Sequence, residues 1–232
     1  SFLVGFNLVP FPHLELYGQY FMNEFDTSYE GGGNFPKAYG WLGGIRSMVG
    51  TDIGVFSGFA EFVLTDPLLY NRYHPLLTFT SRRRIWSYVE PDQMIFVDRP
   101  IGYFTGPDTR LATATFEYRL PEIVEARFEY WYIEKGEKDV LSTYEQQPGA
   151  TTPTGTPEIS HVVGVHLSIT PLPIVTFAGT CYYLADSNVG HTEGVERTDI
   201  QANVSVTFRA GKDSIRNTRR PAVRMMDHWH GD

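Results

Sequence analysis

Few residue groups in this sequence are spaced to do chemistry, and most of them suggest binding rather than bond breaking. His166 and Ser168 stand two apart, a spacing that puts a base and a hydroxyl on one face of a β-strand. Nucleophilic catalysis also needs a third group to orient the base, and no Asn or Asp suited to that role is evident, so an enzyme is not expected. His228 and His230 in Asp227-His228-Trp229-His230 could ligate a metal. They fall in a terminal extension, however, and neither a metal nor another cofactor is expected. Cys181 is the only cysteine, which excludes an intrachain disulfide and a thiolate cluster and leaves a small apolar strand residue. No phosphate-cradling glycine loop, nucleophile elbow or zinc-protease helix is present.

Two larger sets are left. Tyr29, Phe35, Tyr39, Tyr70, Tyr73, His74, Tyr103 and Phe104 gather in or beside long connecting segments. Rings of this kind stack on the apolar faces of sugars while polar neighbours set the orientation, so they are the candidate glycan contacts. As single residues they also fit an interfacial aromatic girdle. Glu15, Gln19, Glu117, Arg119, Glu125, Arg127, Glu129, Asp199 and Arg209 alternate with apolar residues and would line a polar lumen, either as a solvated, cross-paired interior or as a permeation path. Arg82-Arg83-Arg84 puts adjacent charges on both faces of any strand it occupies. That run is expected near a membrane rim, where arginines snorkel and could meet anionic lipopolysaccharide or an acidic glycan.

The elements that must position these residues are strands. In 122–134, Val124, Ala126, Phe128, Tyr130 and Tyr132 alternate with Glu125, Arg127 and Glu129. In 198–209, Ile200, Ala202, Val204, Val206 and Phe208 alternate with polar residues as cleanly. A period of two gives one apolar and one polar face. The predicted strands are 1–9, 13–23, 38–49, 53–64, 76–88, 93–98, 110–120, 122–135, 158–170, 173–185 and 196–209, eleven in all. Most reach the ~9–11 residues that a tilted membrane strand needs, beyond the ~5–6 of ordinary strands. A soluble antiparallel sandwich would show the same alternation. The connections separate the two readings. They alternate between tight ones, at Pro10-Phe11-Pro12, Gly50-Thr51-Asp52, Glu90-Pro91-Asp92, Pro121 and Pro171-Leu172-Pro173, and long ones near 24–37, 65–75, 99–109, 136–157 and 186–195. Short turns on one rim and long loops on the other characterise outer-membrane barrels.

The fold expected is therefore all-β, an antiparallel transmembrane up-and-down β-barrel over 1–210 with a periplasmic or disordered tail over 211–232. Its localisation would be the bacterial outer membrane. An odd strand number leaves the termini on opposite sides, whereas single-chain bacterial barrels are even-stranded. The chain is accordingly expected to be the C-terminal part of a larger barrel, completed by upstream strands of the same or another chain. A formal charge of −8 argues against a general nucleic-acid binder.

Leu14-Glu15-Leu16-Tyr17-Gly18-Gln19-Tyr20-Phe21-Met22-Asn23-Glu24-Phe25 followed by Trp41-Leu42-Gly43-Gly44 resembles the C-terminal half of Wzi-type capsule-assembly proteins. The resemblance continues through Glu61-Phe62-Val63-Leu64-Thr65-Asp66-Pro67-Leu68-Leu69-Tyr70, Arg99-Pro100-Ile101-Gly102 and Gly106-Pro107-Asp108. It implies an outer-membrane lectin that binds or anchors capsular or other exopolysaccharide, with the lipid bilayer and lipopolysaccharide as its surroundings. It also implies an N-terminal portion that this chain lacks. A porin or solute channel is the alternative.

Overall fold

The computed structural model describes residues 2–22, 38–69, 103–139, 142 and 151–209 in full, together with the backbone of 80–86 and 94–100. Nine strands form one antiparallel sheet: β1 (Phe2–Phe11), β2 (Leu14–Met22), β3 (Tyr39–Thr51), β4 (Gly54–Thr65), β7 (Thr109–Leu120), β8 (Val124–Lys135), β9 (Glu158–Leu172), β10 (Val175–Ser187) and β11 (Glu196–Phe208). Each pairs with its neighbour in that order. Among the described residues there is no α-helix, only a short 3-10 turn at Val189–His191.

Eleven strands were expected in the sheet, and nine are found. The other two, β5 (Thr80–Trp86) and β6 (Met94–Pro100), pair only with each other. β4 and β7 are hydrogen-bonded directly, from Val55↔Arg119 to Thr65↔Thr109. The β5–β6 hairpin is thus an insertion in the connection between them. This resolves the oddity of Arg82-Arg83-Arg84. The run lies on β5, outside the main sheet, where it need not obey that sheet's division into faces. The expected turn at Glu90-Pro91-Asp92, the loop residues Tyr29, Phe35, Tyr70, Tyr73 and His74, and the tail with His228 and His230 lie outside the described residues.

Removing the hairpin from the count leaves the alternation of connections intact. Short turns join β1 to β2, β3 to β4, β7 to β8 and β9 to β10, while the other end of the sheet carries every long connection. Strands run further into the turns than the prolines suggest. Pro10 falls inside β1, within a register shift between Leu8 and Phe11, and Pro171 falls inside β9, near a shift between Val175 and Phe177. A proline has no N–H for the ladder, and an irregular site is where a strand tolerates one.

The sheet is open. β1 and β11 are its two edges, and they run in the same direction because an odd number of antiparallel strands, seven, lies between them. The buried hydrophobic residues are few: Ala38, Val63, Leu69 and Leu111 among those described. Residues of one face, including Phe6, Trp41, Phe62, Phe116, Phe128, Val165 and Phe177, are exposed along the whole width. Among the described residues no second layer covers them.

Gly54 opens β4 with φ +131°, and an added Cβ there would stand 2.7 Å from the Arg119 carbonyl oxygen. Gly54→Ala is expected to destabilise the fold by about 1–3 kcal/mol, combining backbone strain with the clash. Urea unfolding in detergent checks this: the midpoint should fall with the slope unchanged.

Candidate functional site

Register carries a side-chain face from strand to strand, because directly paired residues point the same way. Starting from Glu15 and following the partners Arg46, Phe59, Thr115, Glu129, Gly164, Tyr182 and Gln201, one face can be traced across eight strands. The expected lining residues Glu15, Gln19, Glu117, Arg119, Glu125, Arg127, Glu129 and Asp199 all lie on this face. Arg209 follows the end of β11, where its backbone N–H donates to the Ile174 carbonyl at 2.8 Å. The opposite face carries most of the exposed apolar residues, while Leu3, Met48 and Phe59 are exposed on the polar face.

At the turn end of the polar face, opposite charges sit in direct register. Glu117 pairs with Arg127 and Arg119 with Glu125. Arg119 approaches Glu117 at 2.5 Å and Glu125 at 3.7 Å, and Arg127 approaches Glu125 at 3.9 Å. The four formal charges cancel. His166 lies beside Arg127 in register and Ser168 beside Glu125. No hydrogen bond joins His166 to Ser168, and the buried Nδ1 of His166 has no hydrogen-bond partner among the described residues. The pair is not assembled as a nucleophile and base.

Nearer the loop end the face changes character. Tyr17 on β2 reaches across β3 and donates its hydroxyl to Glu61 Oε2 on β4 at 3.0 Å. Tyr182 on β10 reaches across β9 and donates to Glu129 Oε1 on β8 at 3.2 Å. Both crossings pass over a glycine. A Cβ on Gly44 would stand 2.4 Å from the Tyr17 ring, and one on Gly164 would stand 2.6 Å from Tyr182 and 2.7 Å from Glu129. Absence of a side chain lets each tyrosine lie along the sheet rather than stand up from it.

The segment 103–108 folds over this region. Tyr103 donates its hydroxyl to Glu61 Oε1 at 2.8 Å, so Glu61 accepts from two tyrosines. Burial, reinforced by the Glu61 hydrogen bond and its negative charge, raises the Tyr103 pKa well above that of an ordinary phenol. Phe104 packs on Tyr103 with ring centroids 4.9 Å apart and meets Trp131 edge-on at 5.9 Å and 72°. Trp131 lies on the polar face in line with Glu61, with Thr113 between them. Its indole N–H points to Glu129 Oε2 at 3.5 Å, at the limit of a hydrogen bond.

The segment is pinned from below. Asp108 is fully buried with φ +57°. Its carboxylate accepts from the Lys138 N–H at 3.1 Å, from the Thr154 N–H at 3.0 Å and from the Thr154 hydroxyl. Lys135 donates to the carbonyls of Thr105 (3.1 Å) and Pro107 and to the Thr109 hydroxyl. Thr65 Oγ1 donates to the Gly106 carbonyl at 2.8 Å and accepts from the Thr109 N–H at 3.1 Å. Asp108, Lys135 and Thr65 are each matched in this way, which favours the arrangement in a water-poor site, whereas the buried Thr105 Oγ1 has no hydrogen-bond partner among the described residues.

Of the aromatic candidates that are described, Tyr103 and Phe104 therefore lie over the polar face, and of these two Phe104 is the exposed one. Tyr39 is the first residue of β3 rather than a loop residue. It sits on the apolar face, 6.4 Å from Tyr20. Glu61, Tyr17, Tyr182 and Trp131 were absent from the expected site. Alternation does place Tyr17 with Glu15 and Gln19, and Trp131 with Glu129. That a tyrosine two strands away would reach Glu61 is not encoded in any single strand.

The chain matches no protein-family model, no curated protein and no solved structure, and the resemblance to Wzi-type proteins gains no support from these comparisons.

Asp66, just beyond β4, accepts the Tyr39 N–H at 3.1 Å. Burial and the nearby charge of Asp108 push its pKa up from 3.8 to about 6, against the opposing hydrogen bonds from Tyr39 and Thr152. The fold thus favours neutral Asp66. Its stabilisation is complete below about pH 3.8 and is lost as pH rises through about 6. Thermal unfolding between pH 4 and 7.5 should show this decline in the wild type and a flatter profile in Asp66→Asn.

Proposed function

We propose that this chain is the membrane-spanning part of a bacterial outer-membrane β-barrel that binds or anchors exopolysaccharide at the cell surface, in the manner of Wzi-type capsule-assembly proteins, without catalysing a reaction. The observation that carries the reading is the uncovered apolar face. A nine-stranded sheet that leaves Phe6, Trp41, Phe62, Phe116, Phe128 and Val204 exposed needs an apolar medium against them. Lipid supplies one. Strands of 9 to 15 residues are long enough to cross at a tilt, and the segregation of short turns from long loops agrees with the membrane reading. The bilayer and lipopolysaccharide would be the immediate partners.

Edges inside hydrocarbon would leave backbone groups unpaired at several kcal/mol each. Because β1 and β11 run in the same direction, antiparallel closure takes an odd number of further strands, from the same or another chain. The long loops would then be extracellular. Polysaccharide binding rests on the family resemblance together with the aromatic and carboxylate groups at the loop end. A solute channel is the second reading, and the charged rows of Glu117, Arg119, Glu125 and Arg127 favour it. Single-channel conductance of the complete barrel distinguishes the two: stable, well-resolved openings would support the channel.

The membrane reading makes the two faces unequal toward charge. Phe116→Arg, mid-strand on the apolar face, should cost about 2–4 kcal/mol in a bilayer, while Thr115→Arg next to it on the polar face should cost much less. Folding into phosphatidylcholine vesicles, followed by urea titration, measures both. Equal costs, or a chain that stays monodisperse without detergent, would overturn the membrane assignment.

A further inference from the structure

The aromatic group at the loop end has the parts of a carbohydrate subsite. Phe104 is 53% exposed although the segment that bears it is pinned on both sides of its path. The exposed ring sits on a segment held by a buried aspartate, a lysine and two threonines. Trp131 stands against it edge-on, which leaves the two rings at a large angle, 72°, as two walls of a corner.

Carboxylates stand beside both walls. Glu129 lies next to Trp131 and holds the Tyr182 hydroxyl, and Glu61 holds those of Tyr17 and Tyr103. The tyrosines fix both carboxylates in place. A carboxylate has about four lone-pair sites, so each retains acceptor capacity after these bonds. A pyranose offers what fits: an apolar C–H face for a ring and hydroxyl donors for fixed acceptors. An acidic sugar would bring its own carboxylate against Glu61 and Glu129. Like charges brought together with partial desolvation oppose binding.

We propose that Phe104 and Trp131, flanked by Glu61 and Glu129, form a subsite for a neutral pyranose residue of a glycan chain. This deepens the polysaccharide-binding reading above and rests on it for access of a glycan to the polar face. The site selects by charge as well as by shape. Rings accept many hexoses, whereas the two carboxylates discriminate against uronic acids. The proposal concerns the sugar's chemical class, not its linkage or the identity of a surface polymer.

The test uses the complete native barrel, purified in detergent, and isothermal titration calorimetry with neutral oligosaccharides (maltoheptaose, cellohexaose and a dextran oligomer) and with oligogalacturonate of similar length. At least one neutral probe is expected to bind, with oligogalacturonate at least tenfold weaker. Phe104→Ala should weaken the neutral probe at least tenfold. Its side chain is exposed, and unchanged heat-modifiable migration on electrophoresis will verify folding. Trp131→Phe, which keeps a ring, should weaken it less. Glu61→Gln with Glu129→Gln should narrow the preference over oligogalacturonate. Unchanged affinity in Phe104→Ala, equal or tighter binding of oligogalacturonate, or no binding of any neutral probe would overturn the subsite. None of those results touches the broader reading, which is tested separately by whether deleting the gene releases surface polysaccharide from cells.

Discussion

A single layer of hydrogen-bonded strands has two faces and no interior, and the properties of this protein follow from that constraint. Backbone groups are satisfied within the plane by nine consecutive antiparallel neighbours. Side chains then have only two directions available. One side collects phenylalanine, valine, isoleucine and tryptophan, the other glutamate, arginine, threonine and asparagine. A soluble sheet would fold a second layer over its apolar side. Among the described residues that side is bare from β1 to β11, and apolar surface left in water is unfavourable.

The polar side is organised from one end to the other. Near the turns, arginine and glutamate in direct register neutralise one another. Toward the loops the recurring unit is a carboxylate held by a tyrosine that has crossed a glycine. An ion pair on an accessible surface contributes little to stability. It does, however, fix which groups are left to meet a solute. In the lower rows the charges satisfy each other. In the upper rows the carboxylates are oriented by tyrosine hydroxyls and keep much of their accepting capacity.

At the loop end the covering segment is held by a small set of hydrogen-bonded polar groups. Asp108 joins the 103–108 segment to Lys138 and Thr154, Lys135 gathers two carbonyls of that same segment and the Thr109 hydroxyl, and Thr65 ties the segment to the end of β4. Hydrogen bonds to charged groups in a water-poor place are worth more than neutral ones and cost more to leave unmade. Loops joined in this way act as part of the scaffold. Tyr103 and Phe104 are consequently as well placed as strand residues.

Much of the fold was legible in the sequence because a period of two is a local property. Val124 to Tyr132 and Ile200 to Phe208 announce their faces with no help from the rest of the chain, and nine of the eleven expected segments became strands of one sheet. Prolines at 10 and 171 misplaced the turn boundaries by a few residues, since proline at a bulge does not end a strand. Sheet membership differed at 76–98, where both expected strands form but pair only with each other. Whether a strand joins a sheet depends on which neighbour it meets, and β4 meets β7 instead. The expected polar lining fell on one face for the same local reason that the strands were legible. Tyr17 and Tyr182 meeting their carboxylates across Gly44 and Gly164, and Phe104 meeting Trp131, were decided by tertiary structure. Those contacts join residues dozens of positions apart, and only register and loop closure bring them within reach.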